Sequence, residues 1–387
     1  MRFADLIAPC PVEAFAAEHF GRRALHARSG GAWARGFGWP ALERLLDAAP
    51  GLHQAARFYR SDVGFVPATS TAEAIRHLRD GAALVVDDAD RYDPWLADLA
   101  DAVSAELDEP TRVNVYATTP ASGGFPWHAD THDVHALQVS GRKRWRVAGP
   151  SVVDPLFHAS LYPLPEPQAE PYLDVTLEPG DSLYVPRGHW HVAEAVDGPS
   201  LHLTLAVFHA TGIDVAQQVV EALFASDVAR RAFPLVVGSA VRDADDLPAA
   251  HRDHLAAVRE ALVAAASDPD LLRELRLARL RARTPRRAFA LPAQLGAVGG
   301  DVVRPIGPAR LSATDTSFDV DLPGRRLSLP RAAEPLVRRA FAGDDVAVDV
   351  LVASAGVPPS DARAWVDGLV AEGALRVVPA ATSPLRR

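Results

Sequence analysis

Two histidine-rich runs hold the side chains best suited to chemistry. Six of the fourteen histidines lie between positions 128 and 191. The first run is PWHADTHDVH, residues 126–135. On a β-strand, residues i and i+2 point to one face, so His128 and Asp130 present an imidazole and a carboxylate together. A third ligand from a distant strand would complete a two-histidine, one-carboxylate facial triad. That donor set suits non-haem Fe(II), because it leaves coordination positions open. The second run is GDSLYVPRGHWH, residues 180–191, with the pattern G-x5-P-x-G-x2-H. Gly180 turns into a strand, Pro186 and Gly188 shape the next turn, and His191 follows as the third-ligand candidate. His189 shares its strand parity and is the rival. An isolated HxD arises often by chance. Paired with the second pattern about 60 residues on, in a stretch that reads as all-β, it carries weight. The competing reading is that these histidines are satisfied core or surface residues. His132 could share the metal face but is expected to pack behind it, and His135, of opposite parity, is expected to face away.

The elements that must position these residues are legible in outline. Residues 111–210 alternate apolar and polar in short runs, such as Thr111–Tyr116, broken by glycine and proline. This is the texture of an antiparallel jelly roll. Residues 1–110 read as mixed, with helices prominent. Helical patterns open at Pro11 and Trp39, and Ser70 or Thr71 caps a third through Arg79. Residues 212–290 are helical, with seven arginines between 273 and 287. A nucleic-acid patch there is disfavoured against a solvated face or subunit contact, since Phe289 is the one aromatic available to stack on bases. In 291–387, Gly299, Gly300, Pro305 and Pro308 suggest a linker, followed by three short helices and a strand at 375–378, an order like that of a winged helix. Its third helix carries Asp361, Asp367 and Glu372 against Arg363 alone, which would repel DNA phosphates.

Composition narrows the classes. The 387 residues predict two or three domains and carry a net charge of −9, a poor match for a polyanion. One cysteine, Cys10, excludes an internal disulfide framework and a Cys-rich zinc site. There is no signal-peptide pattern at the N-terminus and no long apolar run, so a cytoplasmic protein without a membrane partner is the expectation. Of 40 basic residues one is a lysine, Lys143, and the chain has one asparagine, Asn114. Codon drift explains their rarity but not their positions.

A family resemblance follows from these motifs. HADTHDVHALQVSGRKRWRV (128–147) resembles the metal-binding segment of the JmjC ribosomal-oxygenase family, the bacterial cupin-4 type of 2-oxoglutarate oxygenases. LEPGDSLYVPRGHWHVAEA (177–195) is similar to its distal-histidine segment and SLHLTLAV (200–207) to its closing strand. FGRRALHARSG (20–30) is a looser echo of its entry segment, with Phe20 and Ala24 where Trp and Pro are more usual. The resemblance implies an α+β chain: a double-stranded β-helix (jelly-roll, cupin) JmjC catalytic domain with N-terminal helices at 1–210, a helical dimerisation domain at 211–290 and a winged-helix-like domain at 291–387. It implies that His128, Asp130 and His191 bind Fe(II), and that Lys143 pairs with the far carboxylate of 2-oxoglutarate beside Asn114 and Tyr116. It implies a homodimer and hydroxylation of a protein side chain, a ribosomal protein's Arg or His first. Asp130 favours hydroxylation, since a halogenating relative would need a small residue there.

Three other readings compete. The scaffold could hydroxylate a free amino acid or peptide in secondary metabolism. It could be a nucleic-acid-binding regulator with a vestigial barrel, against which the intact triad and the acidic third helix of 291–387 argue. A storage-like metal cupin would leave Lys143 without a role.

Overall fold

A computed structural model describes residues 2–31, 33–48, 56–122, 124–158, 163–166, 170–235, 237, 248–283, 302–343 and 345–378. Twelve strands come first: β1 (Leu25–Ala27), β2 (Ala56–Arg60), β3 (Gly64–Val66), β4 (Ala83–Val86), β5 (Thr111–Thr118), β6 (His128–Ala129), β7 (Asp133–Ser140), β8 (Lys143–Pro150), β9 (Leu173–Leu177), β10 (Ser182–Val185), β11 (His189–Ala195) and β12 (Ser200–Val207). They form two antiparallel sheets, ordered β1-β10-β7-β12-β5-β4-β2-β3 and β6-β11-β8-β9. From β5 onward the strands alternate between the sheets, except that β8 and β9 are neighbours in the smaller one, in the manner of a double-stranded β-helix, so the jelly-roll expectation holds.

Strand alternation separates two cores. On β5 and β12, Val113, Val115, Leu201, Leu203 and Leu205 point outward and bury against the N-terminal helices through Phe3, Leu6, Phe15, Leu96 and Val103. On the inner face, Trp145, Val147, Leu177, Leu183 and Val185 fill the barrel at one side of the site. At roughly 25 cal/mol per Å2 of apolar surface, each fully buried Leu or Val contributes about 1.5–3 kcal/mol against the entropy of ordering it. The helix Thr71–Arg79 starts as the sequence indicates, with the Ser70 hydroxyl accepting the Glu73 N–H.

The prominence of helices in 1–110 is only part of that region. β2, β3 and β4 extend the larger sheet beyond β5, with Phe58 opposite Leu84 and Leu84 opposite Ala117. Runs of four or five residues are short for a periodicity signal, and β4 is buried on both faces, so it lacks alternation.

After β12 the chain is helical: Gly212–Leu223, Asp227–Arg230, Ala249–Ala266 and Leu271–Arg281. The arginines of Leu271–Arg281 are neither a solvated face alone nor free for phosphate. Arg273 pairs with Asp270 and Glu274, within or beside its own helix. Arg279 reaches Glu109 at 2.9 Å and Asp214 at 3.1 Å, Arg276 reaches Asp108, and Arg281 reaches Asp321 at 2.8 Å. This run binds other parts of the same chain, which a one-dimensional charge pattern cannot reveal. Arg286, Arg287, Phe289, Gly299 and Gly300 lie outside the described residues.

The last block contains β13 (Val302–Pro305), β14 (Arg310–Ala313), β15 (Ser317–Leu322), β16 (Arg325–Pro330), β17 (Val346–Ala347) and β18 (Leu375–Val377). Pro305 is therefore a strand end, opposite Leu375, and not part of a linker. The three expected helices are present at Glu334–Ala340, Val348–Ser354 and Pro359–Ala371. The meander β14-β15-β16 precedes them, whereas a winged helix carries its hairpin after the third helix. Among the described residues only β18 follows, and it pairs with the upstream strand β13. Among the described residues no helix is long and apolar enough to cross a membrane.

Candidate metal and cosubstrate site

The first ligand segment is held by backbone geometry. β6 is two residues long and pairs with β11 so that His128 stands opposite His191. Asp130 follows the strand, and its carbonyl accepts the Gly188 N–H at 2.9 Å, which ties the two ligand segments together. Gly188 has φ +82°, and a Cβ there would lie 2.5 Å from Pro155 Cδ, so this turn requires glycine. Asp133 strengthens the same corner: its buried carboxylate accepts the Arg187 N–H at 2.9 Å and the Tyr184 hydroxyl at 2.8 Å.

His128, Asp130 and His191 each offer a ligand atom, and these atoms all lie within 4.8 Å of one another. The tautomers suit a metal. His128 Nδ1 lies 2.8 Å from the Pro126 carbonyl and His191 Nδ1 3.1 Å from the His189 carbonyl. A carbonyl only accepts, so each Nδ1 carries a proton, which makes Nε2 the atom of each ring that can ligate a metal. Burial pushes His191 down to about 4, and the nearby His128 adds to this, so the ring is neutral at physiological pH. Burial acts to raise the Asp130 carboxyl, but the His191, His132 and His128 rings outweigh it and hold it below the ordinary carboxylate value. Two imidazoles and a carboxylate whose ligand atoms converge fit a divalent cation.

His189, the rival, is elsewhere. It bonds the Tyr172 hydroxyl through Nδ1 at 2.8 Å. The ladder slips by one residue between His189 and Trp190, opposite Gly149 of β8, and His189 is not among the clustered ligand atoms. His132 packs against Phe208, with ring centroids 4.9 Å apart, and His135 faces away into the outer core between Phe3 and Tyr184.

A cavity of about 320 Å3 opens beside the triad. Lys143, Tyr116, His202, Thr204 and Trp145 line it together with His128, Asp130 and His191. Lys143 is 1% exposed. Its Nζ has one neighbour, His202 Nδ1 at 3.4 Å, and among the described residues no carboxylate pairs with it. Burial lowers the amine to about 7 and takes His202 well below its usual value. A buried ammonium facing a cavity without an anionic partner fits a carboxylate ligand that arrives from outside. The turn before it is built for the purpose. Gly141 has φ +66°, and a Cβ would meet the Pro199 carbonyl at 2.2 Å, while the Gln138 amide donates to Ser140, Gly141 and Ser200.

Tyr116 stacks on His202 at 4.8 Å, and burial raises its hydroxyl well above the ordinary tyrosine value. Asn114 shares its strand face but does not line the cavity. Its carbonyl accepts the Asp88 N–H at 2.9 Å, and its side chain bonds Tyr116. It holds Tyr116 beside the cavity. Sequence reasoning missed His202, Thr204 and Trp145, whose strand parity was readable once β8 and β12 were placed. It also missed the outer wall of Arg57, Tyr59, Phe65 and Phe125, because β2 and β3 were not seen as strands.

Comparison with known proteins agrees with this geometry. A family described as "JmjC domain" matches residues 89–215, which span β5 to β12 and both ligand segments. Over these residues the chain is similar to ribosomal oxygenases. Ribosomal oxygenase 1 of Rattus norvegicus is 48% identical over 100 residues, 24% of this chain and 16% of that protein. The bifunctional lysine-specific demethylase and histidyl-hydroxylase NO66 of Culex quinquefasciatus is 43% identical over 101 residues, 25% of this chain and 16% of that protein. The chain thus matches less than a fifth of the length of these curated relatives. Beyond the JmjC barrel the likeness is one of fold. The Escherichia coli ribosomal oxygenase YcfD superposes with a TM-score of 0.64 at 18% identity, covering 95% of this chain and 98% of that one. A YcfD structure in complex with cobalt and 2-oxoglutarate superposes at 0.63.

Proposed function

We propose that this chain is an Fe(II)- and 2-oxoglutarate-dependent oxygenase that hydroxylates a side chain of a protein, a ribosomal protein first. The observation that carries the reading is the pairing of the metal-fit triad with the buried Lys143 amine, which has no carboxylate partner among the described residues, in one cavity. His128, Asp130 and His191 would hold the metal, and Lys143 would hold the far carboxylate of 2-oxoglutarate. When bound, the iron and its cosubstrate supply the oxidising power, with succinate and carbon dioxide as coproducts and one oxygen atom passed to the substrate.

The chain's own residues do the rest. Lys143 orients the cosubstrate by a charge-assisted contact from a buried amine. Asn114 holds the Tyr116 hydroxyl as a hydrogen-bonding group, and Tyr116 is kept protonated by its burial. Trp145 and Val134 make the wall apolar, which limits water near the metal ligands. The net charge of −9 favours encounter with a basic protein such as those of the ribosome.

The domain reading goes with this one: a catalytic unit at 1–210, a helical unit at 211–290 that pairs two copies, and a packing unit at 291–387. The helical unit carries exposed apolar side chains at helical spacing, Ile213, Val220 and Phe224, with Leu255, Leu262 and Val263 on a second helix. The test of function is intact-mass comparison of ribosomal proteins incubated with Fe(II), 2-oxoglutarate and the chain. A gain of one oxygen atom on one protein is expected, absent without 2-oxoglutarate. Unchanged masses across the set would overturn the ribosomal substrate.

A further inference from the structure

An amine is a nucleophile only once it has lost its proton, and a lysine in water keeps that proton at neutral pH. Burial without a counter-ion removes the obstacle. Lys143 is 1% exposed, yet it lines the cavity of about 320 Å3 beside the triad. The titratable groups that share this cavity are His128, Asp130 and His191 of the triad, Tyr116 on β5, His202 on β12 and Arg57 on β2. The carboxylate among them, Asp130, belongs to the triad, and among the described residues none pairs with Lys143. What Nζ has instead is His202 Nδ1 at 3.4 Å. That ring is itself buried and held in place, stacked on Tyr116 at 4.8 Å and met edge-on by Trp145 at 5.5 Å. A neutral amine donates one N–H to Nδ1 and leaves its own lone pair for the cavity. Burial brings the Lys143 amine to about 7, in keeping with this geometry. The other basic residues counted with Lys143 are arginines, whose guanidinium groups stay protonated, so Lys143 is the one side-chain primary amine in the chain.

We propose that Lys143 is a covalent capture site for short aliphatic aldehydes, which it holds as an imine. The amine lone pair attacks the carbonyl carbon, the carbonyl π pair moves onto oxygen, and that oxygen gains a proton as the nitrogen loses one. The carbinolamine then expels water as the nitrogen lone pair forms the C=N bond. One amine and one aldehyde give one imine and one water, with no oxidant or reductant. Val85, Val134, Phe125 and Trp145 line the same cavity and offer the alkyl chain an apolar wall. Water reverses the reaction, so the captured state is temporary. The imine occupies the place where Lys143 would meet the far carboxylate of 2-oxoglutarate, so aldehyde and cosubstrate exclude one another. This exclusion, unlike the capture itself, rests on the oxygenase reading.

The test treats the full chain with propanal at about pH 7.5 in the presence of cyanoborohydride, which reduces an imine to a stable secondary amine. Peptide mapping by mass reads the propyl group on Lys143, with the α-amino group of the chain as the internal scale. The same chain unfolded in guanidinium chloride is the reference, because there Lys143 is an ordinary lysine with about one part in a thousand unprotonated. Relative to the α-amino group, Lys143 is expected to be alkylated about tenfold or more faster in the folded chain than in the unfolded one. Mn(II) with 2-oxoglutarate is expected to slow that alkylation about tenfold. Without cyanoborohydride, propanal is expected to inhibit succinate release in the Fe(II)-loaded chain, and dilution to restore it. Alkylation of Lys143 that is no faster in the folded chain would overturn the capture site, whether or not 2-oxoglutarate binds. Fast alkylation that Mn(II) and 2-oxoglutarate leave unchanged would sustain the capture site and overturn the cosubstrate role of Lys143.

Discussion

At the scale of single residues, the account separates neighbours that sequence alone left as rivals. His191→Ala is expected to reduce 2-oxoglutarate turnover to background, because it removes a buried ligand atom from the cluster. His189→Ala should keep most of the activity, losing the Tyr172 hydrogen bond at a stability cost of about 1 kcal/mol. Succinate assays on both variants check this, and the reverse pattern would unseat His191. Lys143 makes a second prediction. Its amine sits near 7 in the folded chain against an ordinary 10.5. Between those values the unfolded state binds more protons, so the cost of burying Lys143 is complete below about pH 7 and fades as pH rises toward 10.5. Lys143→Met should therefore stabilise the metal-free chain at pH 6 to 7 by about 1–4 kcal/mol while abolishing cosubstrate binding. In wild type, 2-oxoglutarate should bind more weakly as pH rises above about 7, since binding must then bring a proton to the amine. Calorimetry in two buffers of different ionisation enthalpy measures that proton uptake. The triad and Lys143 were legible because spacing and a lone lysine mark them. Arg57, Phe65 and His202 were not, because their roles depend on which strands are neighbours.

At the scale of elements, strand alternation explains most of what could be read and most of what could not. The long strands β5, β7, β8 and β12 alternate or sit in dense apolar runs, so the barrel was visible. β4 is buried on both faces and β2 spans five residues, so neither shows a period that distinguishes strand from short helix. The arginine-rich helix Leu271–Arg281 is the plainest case of a pattern whose partners lie far away in sequence. Arg279 is 18% exposed and its partner Glu109 11%, with a second carboxylate from Asp214. Arg279→Ala should cost about 2 kcal/mol, since two carboxylates lose their partner in a partly dry setting. Arg273→Ala breaks exposed contacts and should cost no more than about 0.5 kcal/mol. Chemical denaturation of both variants distinguishes a structural clamp from a surface run. Equal, small effects would return these arginines to solvent.

At the scale of the whole molecule, charge and apolar surface assign different jobs to different regions. The acidic chain as a whole suits a basic partner. Steering of that kind acts over roughly a Debye length, about 10 Å at 0.1 M salt. The exposed Val220 and Phe224, at 51% and 66%, argue for association of two chains. Val220→Glu with Phe224→Glu should convert a dimer to a monomer by light scattering, with the barrel's far-UV signal intact. A wild-type chain that is monomeric at micromolar concentration would remove the helical unit's pairing role. The three helices of the last third were legible from their spacing, but the meander β14-β15-β16 was not, because the exposed alternation of β14 and β16 resembles a polar loop in sequence.

The most direct test of the central claim is succinate release from 2-oxoglutarate as Fe(II) is titrated into the metal-free chain in the presence of ribosomal proteins. The account predicts turnover that rises with iron, saturates at one iron per chain, and is lost in His191→Ala and restored by no concentration of iron. Turnover that is absent in wild type at saturating iron, or equal in His191→Ala, would contradict it.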